Sequence, residues 1–246
     1  MSKQNIIYGR HPVLDALKSG QSIDKILLQK GGRGLYEKEL RTLAAEQHIP
    51  LQYVPKEKLN RVTGGNHQGV IAFAALVAYQ RLEDIRPFLF EQSVTPLIVL
   101  LDGVTDVRNF GAIARSAECL GAHALVVASK SAAPINAESV KTSAGALTRI
   151  PVCRVPSLGL AIQQLQMSGL MVLASDLQAE KQLFELELGG PTAILLGSEG
   201  AGVQATLLRK ADERFIIPQR GETDSLNVSV AAGVILYEIL RQRLQQ

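Results

Sequence analysis

The chain has 246 residues, 46% of them apolar, enough to bury a sizeable core in one large or two modest globular domains; disorder and fibrous repeats are excluded. Its 26 Lys and Arg face 23 Asp and Glu, a net +3, so the chain as a whole is no polycation of the nucleic-acid-binding kind. The balance is uneven along the chain: residues 1–77 carry eleven basic and six acidic side chains, whereas residues 91–246 carry thirteen and fifteen.

In chain order, the sequence predicts a strand at Ile6–Tyr8, a helix over His11–Ser19 with Pro12 in its first turn, and a strand at Lys25–Gln29. Gly31-Gly32-Arg33-Gly34 reads as a flexible loop, followed by a helix over Tyr36–Gln47 and strands at Leu51–Val54 and Val70–Leu76. This makes a small α/β unit over residues 1–77. A mixed, polar stretch with Pro87 and Pro96 then reads as an interdomain linker over 78–95. From 96 to 246 apolar runs alternate with helical patterns: LIVLL (97–101), ALVVA (124–128), VCRV (152–155), LMVLA (170–174), AILL (193–196) and FII (215–217). Helical patterns lie at 111–120, 137–146, 158–167, 205–210 and 228–244. Near-continuous apolar strands are expected of a parallel sheet covered by helices on both faces.

Neither a metal site nor a disulfide framework is predicted. Cys119 and Cys153 stand 34 residues apart in apolar surroundings and read as buried thiols, and the four His form no cluster with Asp or Glu. Trp is absent, and the five Tyr and six Phe are scattered, so no aromatic stacking surface is evident. The opening residues hold no apolar core of a signal peptide, and no apolar run long enough to span a membrane follows. A soluble cytoplasmic protein is expected.

Ligands of open parallel sheets collect beyond the carboxyl ends of the strands, which directs the search to three loops. The first, after LIVLL, places Asn109 as a helix cap, Gly111 for close backbone approach, and Arg115 six residues past Asn109. An ordinary surface ion pair explains Arg115 equally well at this point. The second, GSEGAGV (197–203), sets three glycines around Glu199; a plain tight turn is the alternative. Its Gly-x-x-Gly-x-Gly order is not the dinucleotide fingerprint, which disfavours a nicotinamide oxidoreductase. The third, QRGETDSLNVSVAAG (219–233), brings Ser225, Asn227 and Ser229 to a helix start, where capping alone accounts for one of them.

Together, NFGAIARS, LLGSEGAGV and IPQRGETDSLNVSVAAGVILYE, in that order, resemble the signature set of the SpoU-type, or TrmH-type, RNA ribose methyltransferases of the SPOUT superfamily. The resemblance covers 96–246. IIYGRHPVLDAL and HQGVIA are similar to the substrate-binding domain of the subgroup that methylates guanosine in 23S ribosomal RNA.

The resemblance implies a trefoil-knotted α/β domain that binds S-adenosylmethionine through Gly197, Gly200, Ile217, Ser225 and Leu226. It implies methyl transfer to a ribose 2′-hydroxyl with Arg115 as the central catalytic group, arranged by Asn109, Glu199, Ser225 and Asn227. A guanidinium keeps its proton at neutral pH, so Arg115 is expected to orient the hydroxyl or a neighbouring phosphate. No metal is required. The resemblance further implies a homodimer packed through the C-terminal region, for which the apolar residues of 228–244 offer a face, and a large-subunit ribosomal RNA partner. Arg10, Arg33, Arg61, His67 and Gln68, with Lys30 and Asn66 nearby, are the expected RNA contacts of the basic N-terminal unit. Transfer RNA or another ribosomal site, and a knotted RNA-binding or assembly protein without turnover, are the alternative readings.

Overall fold

The structure is a computed structural model that describes residues 6–31, 34–91, 94–130 and 133–245. The chain divides into two compact units, 1–78 and 79–246. The first contains β1 (Ile6–Tyr8), α1 (Arg10–Lys18), β2 (Ile23–Gln29), α2 (Leu35–Glu46), β3 (Leu51–Val54), α3 (Lys56–Val62) and β4 (Val70–Ala74). Its four-stranded sheet has the order β1-β4-β2-β3, with β2 and β3 parallel and both other pairs antiparallel. Val13, Leu17, Leu40 and Ala44, one helical turn apart in α1 and α2, close over Ile26, Leu28, Val70 and Ala72 on one face. Helix α3, which the polar sequence of 56–62 concealed, seals the other face with Leu59 against Leu27, Ile71 and Phe73.

The second unit contains β5 (Tyr79–Gln80), α4 (Leu82–Glu91), β6 (Leu97–Asp102), α5 (Val107–Cys119), β7 (Ala124–Ala128), α6 (Ala137–Thr142) and β8 (Val152–Val155). It continues with α7 (Leu158–Met167), β9 (Met171–Ser175), β10 (Thr192–Gly197), α8 (Ala205–Leu208), β11 (Glu213–Phe215) and α9 (Val228–Arg243). The expected helix-covered parallel sheet is present: seven strands in the order β11-β9-β10-β6-β7-β8-β5, every neighbouring pair parallel. Ile98 and Leu100 of β6 meet α4, α7 and α8 in one core, and the alternate residues Leu97, Val99 and Leu101 are buried too. Burial of both faces explains why the strands carry apolar runs instead of alternation.

Three local expectations change. The stretch 79–91 is built into the second unit: Tyr79 and Gln80 pair with Val152 and Cys153, and Leu82 and Ile85 join its core. Cys153 is buried, and burial pushes its thiol up to about 12, but Cys119 ends α5 exposed. Helix α5 starts earlier than its apolar spacing suggested, capped by Asp106, whose Oδ1 accepts from the amides of Arg108 and Asn109 at 2.9 Å each. Asn109 therefore sits inside the first turn with its side chain free for another purpose.

Candidate active site

The carboxyl ends of β9, β10 and β11 open onto one cavity of about 360 Å³. Ser175–Gln178, Leu196–Val203, the segment around Ile216, Ile217, Ser225 and Leu226, and the first turns of α9 line it. This is where a parallel sheet presents a ligand with strand-end backbone from several directions. All five residues expected to hold a cofactor, Gly197, Gly200, Ile217, Ser225 and Leu226, lie on its wall.

The loop after β10 folds back on itself. Gly202 donates its amide to the Ser198 carbonyl at 2.9 Å, which brings Gly202 against Gly197. A Cβ on Gly197 would stand 1.9 Å from the Gly202 carbonyl carbon, so no other residue fits without moving the loop. Gly200 and Gly202 turn the chain with φ of +80° and +65°. The loop is also anchored from below. Asp102, 2% exposed at the end of β6, accepts from Gln204 through both oxygens: Oδ2 from the backbone amide at 2.8 Å and Oδ1 from Nε2 at 2.7 Å. This pair escaped the sequence reading, although a carboxylate ending the uncharged run LIVLL was its signal.

Three of the expected catalytic residues converge. Asn109 of α5 donates Nδ2 to Glu199 Oε1 at 2.9 Å, and Asn227 donates Nδ2 to Asn109 Oδ1 at 3.1 Å and also to Glu199 Oε1. Asn227 simultaneously caps α9, its Oδ1 accepting from the amide and the hydroxyl of Ser229 at 2.9 and 2.6 Å. Residues 118 positions apart in sequence are thus locked to one carboxylate at the rim of the cavity. Such a network holds backbone from three loops in one geometry before a ligand arrives.

Arg115 is not part of this cluster. It is exposed on α5, does not line the cavity, and has no hydrogen-bond or ion-pair partner among the described residues. At 100° per residue, six positions carry its side chain about 120° around the helix from that of Asn109. The α9 residues expected to form an apolar face also divide: Ile235 and Ile239 are buried, while Val230, Val234 and Tyr237 are 52, 40 and 61% exposed.

In the first unit, Arg10, His67 and Gln68 line a second concavity of about 690 Å³ together with Asn66. Arg61 is exposed outside it, and Arg33 lies outside the described residues. His67 is 6% exposed with both ring nitrogens engaged: Nδ1 accepts from the Gly69 amide at 3.0 Å, which leaves Nε2 to donate to Asn60 Oδ1 at 2.8 Å. No group of three or more His, Cys, Asp or Glu among the described residues is arranged to hold a metal ion, and no helix among them is long and apolar enough to cross a membrane.

Comparison with known proteins places both units. Residues 96–237 match the SpoU rRNA Methylase family, and residues 6–80 match the RNA 2′-O ribose methyltransferase substrate binding family. A Bacillus subtilis (strain 168) protein assigned to the TrmH family of tRNA/rRNA methyltransferases, YacO, is 33% identical over 99% of this chain and 98% of its own. The SpoU methyltransferase AviRb of Streptomyces viridochromogenes, solved with AdoMet, superposes with a TM-score of 0.63 at 27% identity, over 98% of this chain and 91% of its own. An AdoMet-bound rRNA methyltransferase of Sinorhizobium meliloti gives a TM-score of 0.61 at 27% identity, over 96% of this chain and 86% of its own.

Proposed function

We propose a reaction for a chain that belongs to the SpoU rRNA Methylase family and is therefore an S-adenosylmethionine-dependent RNA methyltransferase: transfer of a methyl group to the ribose 2′-hydroxyl of a guanosine in 23S ribosomal RNA. The observation that carries this reading is the Asn109–Glu199–Asn227 network at the rim of a cavity lined by strand-end backbone. The cavity suits S-adenosylmethionine. Its volume is in the range of small-molecule sites, Leu226, Ile217 and Val203 give it apolar walls, and the Gly197–Gly202 loop exposes main chain in place of side chains. When bound there, the cofactor would supply an electrophilic methyl group to the ribose oxygen, with S-adenosylhomocysteine as the product and the hydroxyl proton passing to solvent.

The chain's own residues then have separable roles. Gly197, Gly200, Ile217, Ser225 and Leu226 hold the cofactor, and the paired amides of Asn109 and Asn227 fix Glu199 at the rim. Oriented reactants gain about 7 kcal/mol or more over free encounter, so this positioning carries much of the rate. Arg115 orients the 2′-hydroxyl or a nearby phosphate from a second copy of the chain. Its distance in angle from Asn109 and the uncovered Val230, Val234 and Tyr237 on the neighbouring helix support a two-fold dimer in which each copy lends Arg115 to the other. Residues 197–202, 216–217 and 225–226 belong, in this reading, to a knotted C-terminal segment; the basic first unit selects the RNA, and the protein works in the cytoplasm.

Ribose-methylation mapping of RNA from a strain lacking the gene tests the assignment. One 23S guanosine is expected to lose its methyl group and to regain it with the wild-type gene but not with Arg115→Ala, a variant that still binds cofactor. Loss at a transfer RNA position instead would move the substrate, and full complementation by Arg115→Ala would remove that residue from the mechanism.

A further inference from the structure

The concavity of the first unit is basic and rich in side-chain amides. Arg10, His11 and Lys56 contribute its basic groups and Gln29, Asn60, Asn66 and Gln68 its side-chain amides, and no carboxylate of the described residues lines it. Several donors have no partner among the described residues. Asn60 Oδ1 is occupied by His67, so its Nδ2 is left over; Gln68 Oε1 accepts the Arg10 amide at 2.9 Å, so its Nε2 is left over; and Lys56 forms no ion pair among the described residues. The buried, doubly bonded His67 thus works as a positioning residue that sets the direction of the Asn60 amide. Beside the concavity Tyr8 packs on Gly65, one of its lining residues, so closely that a Cβ on Gly65 would stand 2.6 Å from the ring, yet 40% of Tyr8 stays exposed.

We infer that this groove binds an unpaired nucleotide of the RNA substrate, with phosphate on Lys56 and Arg10, base edge on the amides of Asn60 and Gln68, and base face against Tyr8. The inference rests on the proposed RNA methylation and adds which part of the RNA the first unit holds. The physical reason is access. The major groove of an RNA helix is too narrow for side chains to read, so an RNA duplex offers a wall of phosphates to the rim of a concavity. A splayed-out nucleotide enters, where leftover donors and an aromatic ring match its acceptors and its π face. A surface that meets only the phosphates of a duplex needs no depth, whereas this concavity of about 690 Å³ has room for a nucleotide.

The test compares fluorescein-labelled RNA stem-loops with an adenosine-rich loop against the same stem closed into a continuous duplex, by anisotropy with the full-length protein. The stem-loop is expected to bind about tenfold more tightly, the effect of one good base stack. Tyr8→Leu abolishes that preference and Tyr8→Phe restores it; Asn60→Ala weakens stem-loop binding alone; Lys56→Gln weakens both RNAs and lowers the salt slope by about one. The far-ultraviolet circular dichroism and melting of all four variants stay at the wild-type level and show that the first unit is folded, and S-adenosylmethionine binding, read by calorimetry, shows the same of the second. Equal affinity of the wild-type protein for both RNAs, or unchanged affinity in Tyr8→Leu and Asn60→Ala, overturns the groove while methyl transfer to ribosomal RNA continues. A wild-type protein that transfers no methyl group to any RNA overturns the underlying reading instead.

Discussion

The two concavities treat their polar groups in opposite ways. Around the cavity of the second unit, Asn109, Glu199, Asn227, Asp102 and Gln204 are bonded to one another, so their geometry is fixed by the chain alone. In the groove of the first unit, Lys56, Asn66 and Gln29 have no such side-chain partners among the described residues, while His67 and the acceptor ends of Asn60 and Gln68 are engaged and the Arg10 guanidinium lies over the Tyr36 ring at 5.2 Å. A self-paired site costs little to organise when an invariant small molecule arrives. A site with spare donors leaves its hydrogen bonds for the partner, which suits a larger and more variable ligand. In the proposed reading, one chain thus separates a rigid place for chemistry from an adaptable place for recognition.

If the second site is rigid, the smallest intrusion breaks it, and Gly197→Ala is the sharpest intrusion available. The new methyl would overlap the backbone of Gly202 and Val203, which cannot step aside like a flexible side chain. Overpacking of this kind costs up to about 3 kcal/mol, which converts to about a hundredfold loss of S-adenosylmethionine affinity by calorimetry. Stem-loop binding through the first unit is expected to survive. An unchanged cofactor affinity would show that the loop adapts and would erase the contrast between the two sites.

This contrast was only half legible in the sequence. Apolar runs such as LIVLL announce a sheet covered on both faces, and the parallel sheet then directs attention to the loops that leave its strands. Those loops contain Gly197, Glu199, Ser225 and Asn227, and all four are found at the cavity or its rim. What spacing hides is which of several equivalent polar groups takes which role. Asp106 and Asn109 are both good caps, and the choice of Asp106 releases Asn109 to reach Glu199, 90 positions away. Arg115 reads as a neighbour of Asn109 along the chain but points elsewhere on the helix. In the first unit α3 carries five charged or amide side chains in seven residues, so its one buried anchor, Leu59, leaves too faint a period to detect. The segment 79–91 misled for a related reason: polar residues and Pro87 resemble a linker, but two buried contacts, Leu82 and Ile85, suffice to dock it.

A second prediction probes how far below the surface the organisation of the catalytic cavity extends. Asp102→Asn keeps the size of a buried side chain but turns one acceptor into a donor, facing an N–H of Gln204. A buried donor left without an acceptor costs about 1–3 kcal/mol. Part of that is relieved if the 198–204 loop shifts, so S-adenosylmethionine affinity is expected to fall about tenfold, the equivalent of 1.4 kcal/mol. KM for the cofactor should rise more than kcat falls, since Asp102 touches only the loop. A loss confined to kcat would mean that Asp102 acts on the reaction itself.

The smallest effect concerns pH and lies at the opposite end of the sheet, where α9 is fastened to the start of β6. Arg243 donates to the carbonyls of Thr95, Pro96 and Gly190 at 2.8, 3.0 and 2.8 Å, and burial lowers its pKa from the usual guanidinium value. Nearby, His123 Nδ1 accepts the Leu97 amide at 3.1 Å, an arrangement open only to the unprotonated nitrogen. Burial, and then the charge of Arg243, lower the His123 pKa from its ordinary 6.5. Unfolded chains therefore take up this proton more readily than folded ones. Stability from this group is complete above pH 6.5 and drains away as the pH falls from there through the folded-state value. Denaturant titrations at falling pH are expected to show this slope in the wild-type protein and a flatter one in His123→Gln. Arg243→Ala should destabilise the fold at every pH, through the carbonyls it abandons, and also soften the slope, because the repelling charge is gone. If both variants kept the full wild-type slope, other groups would be the source, and the catalytic end would no longer stand out against an acid-sensitive opposite edge.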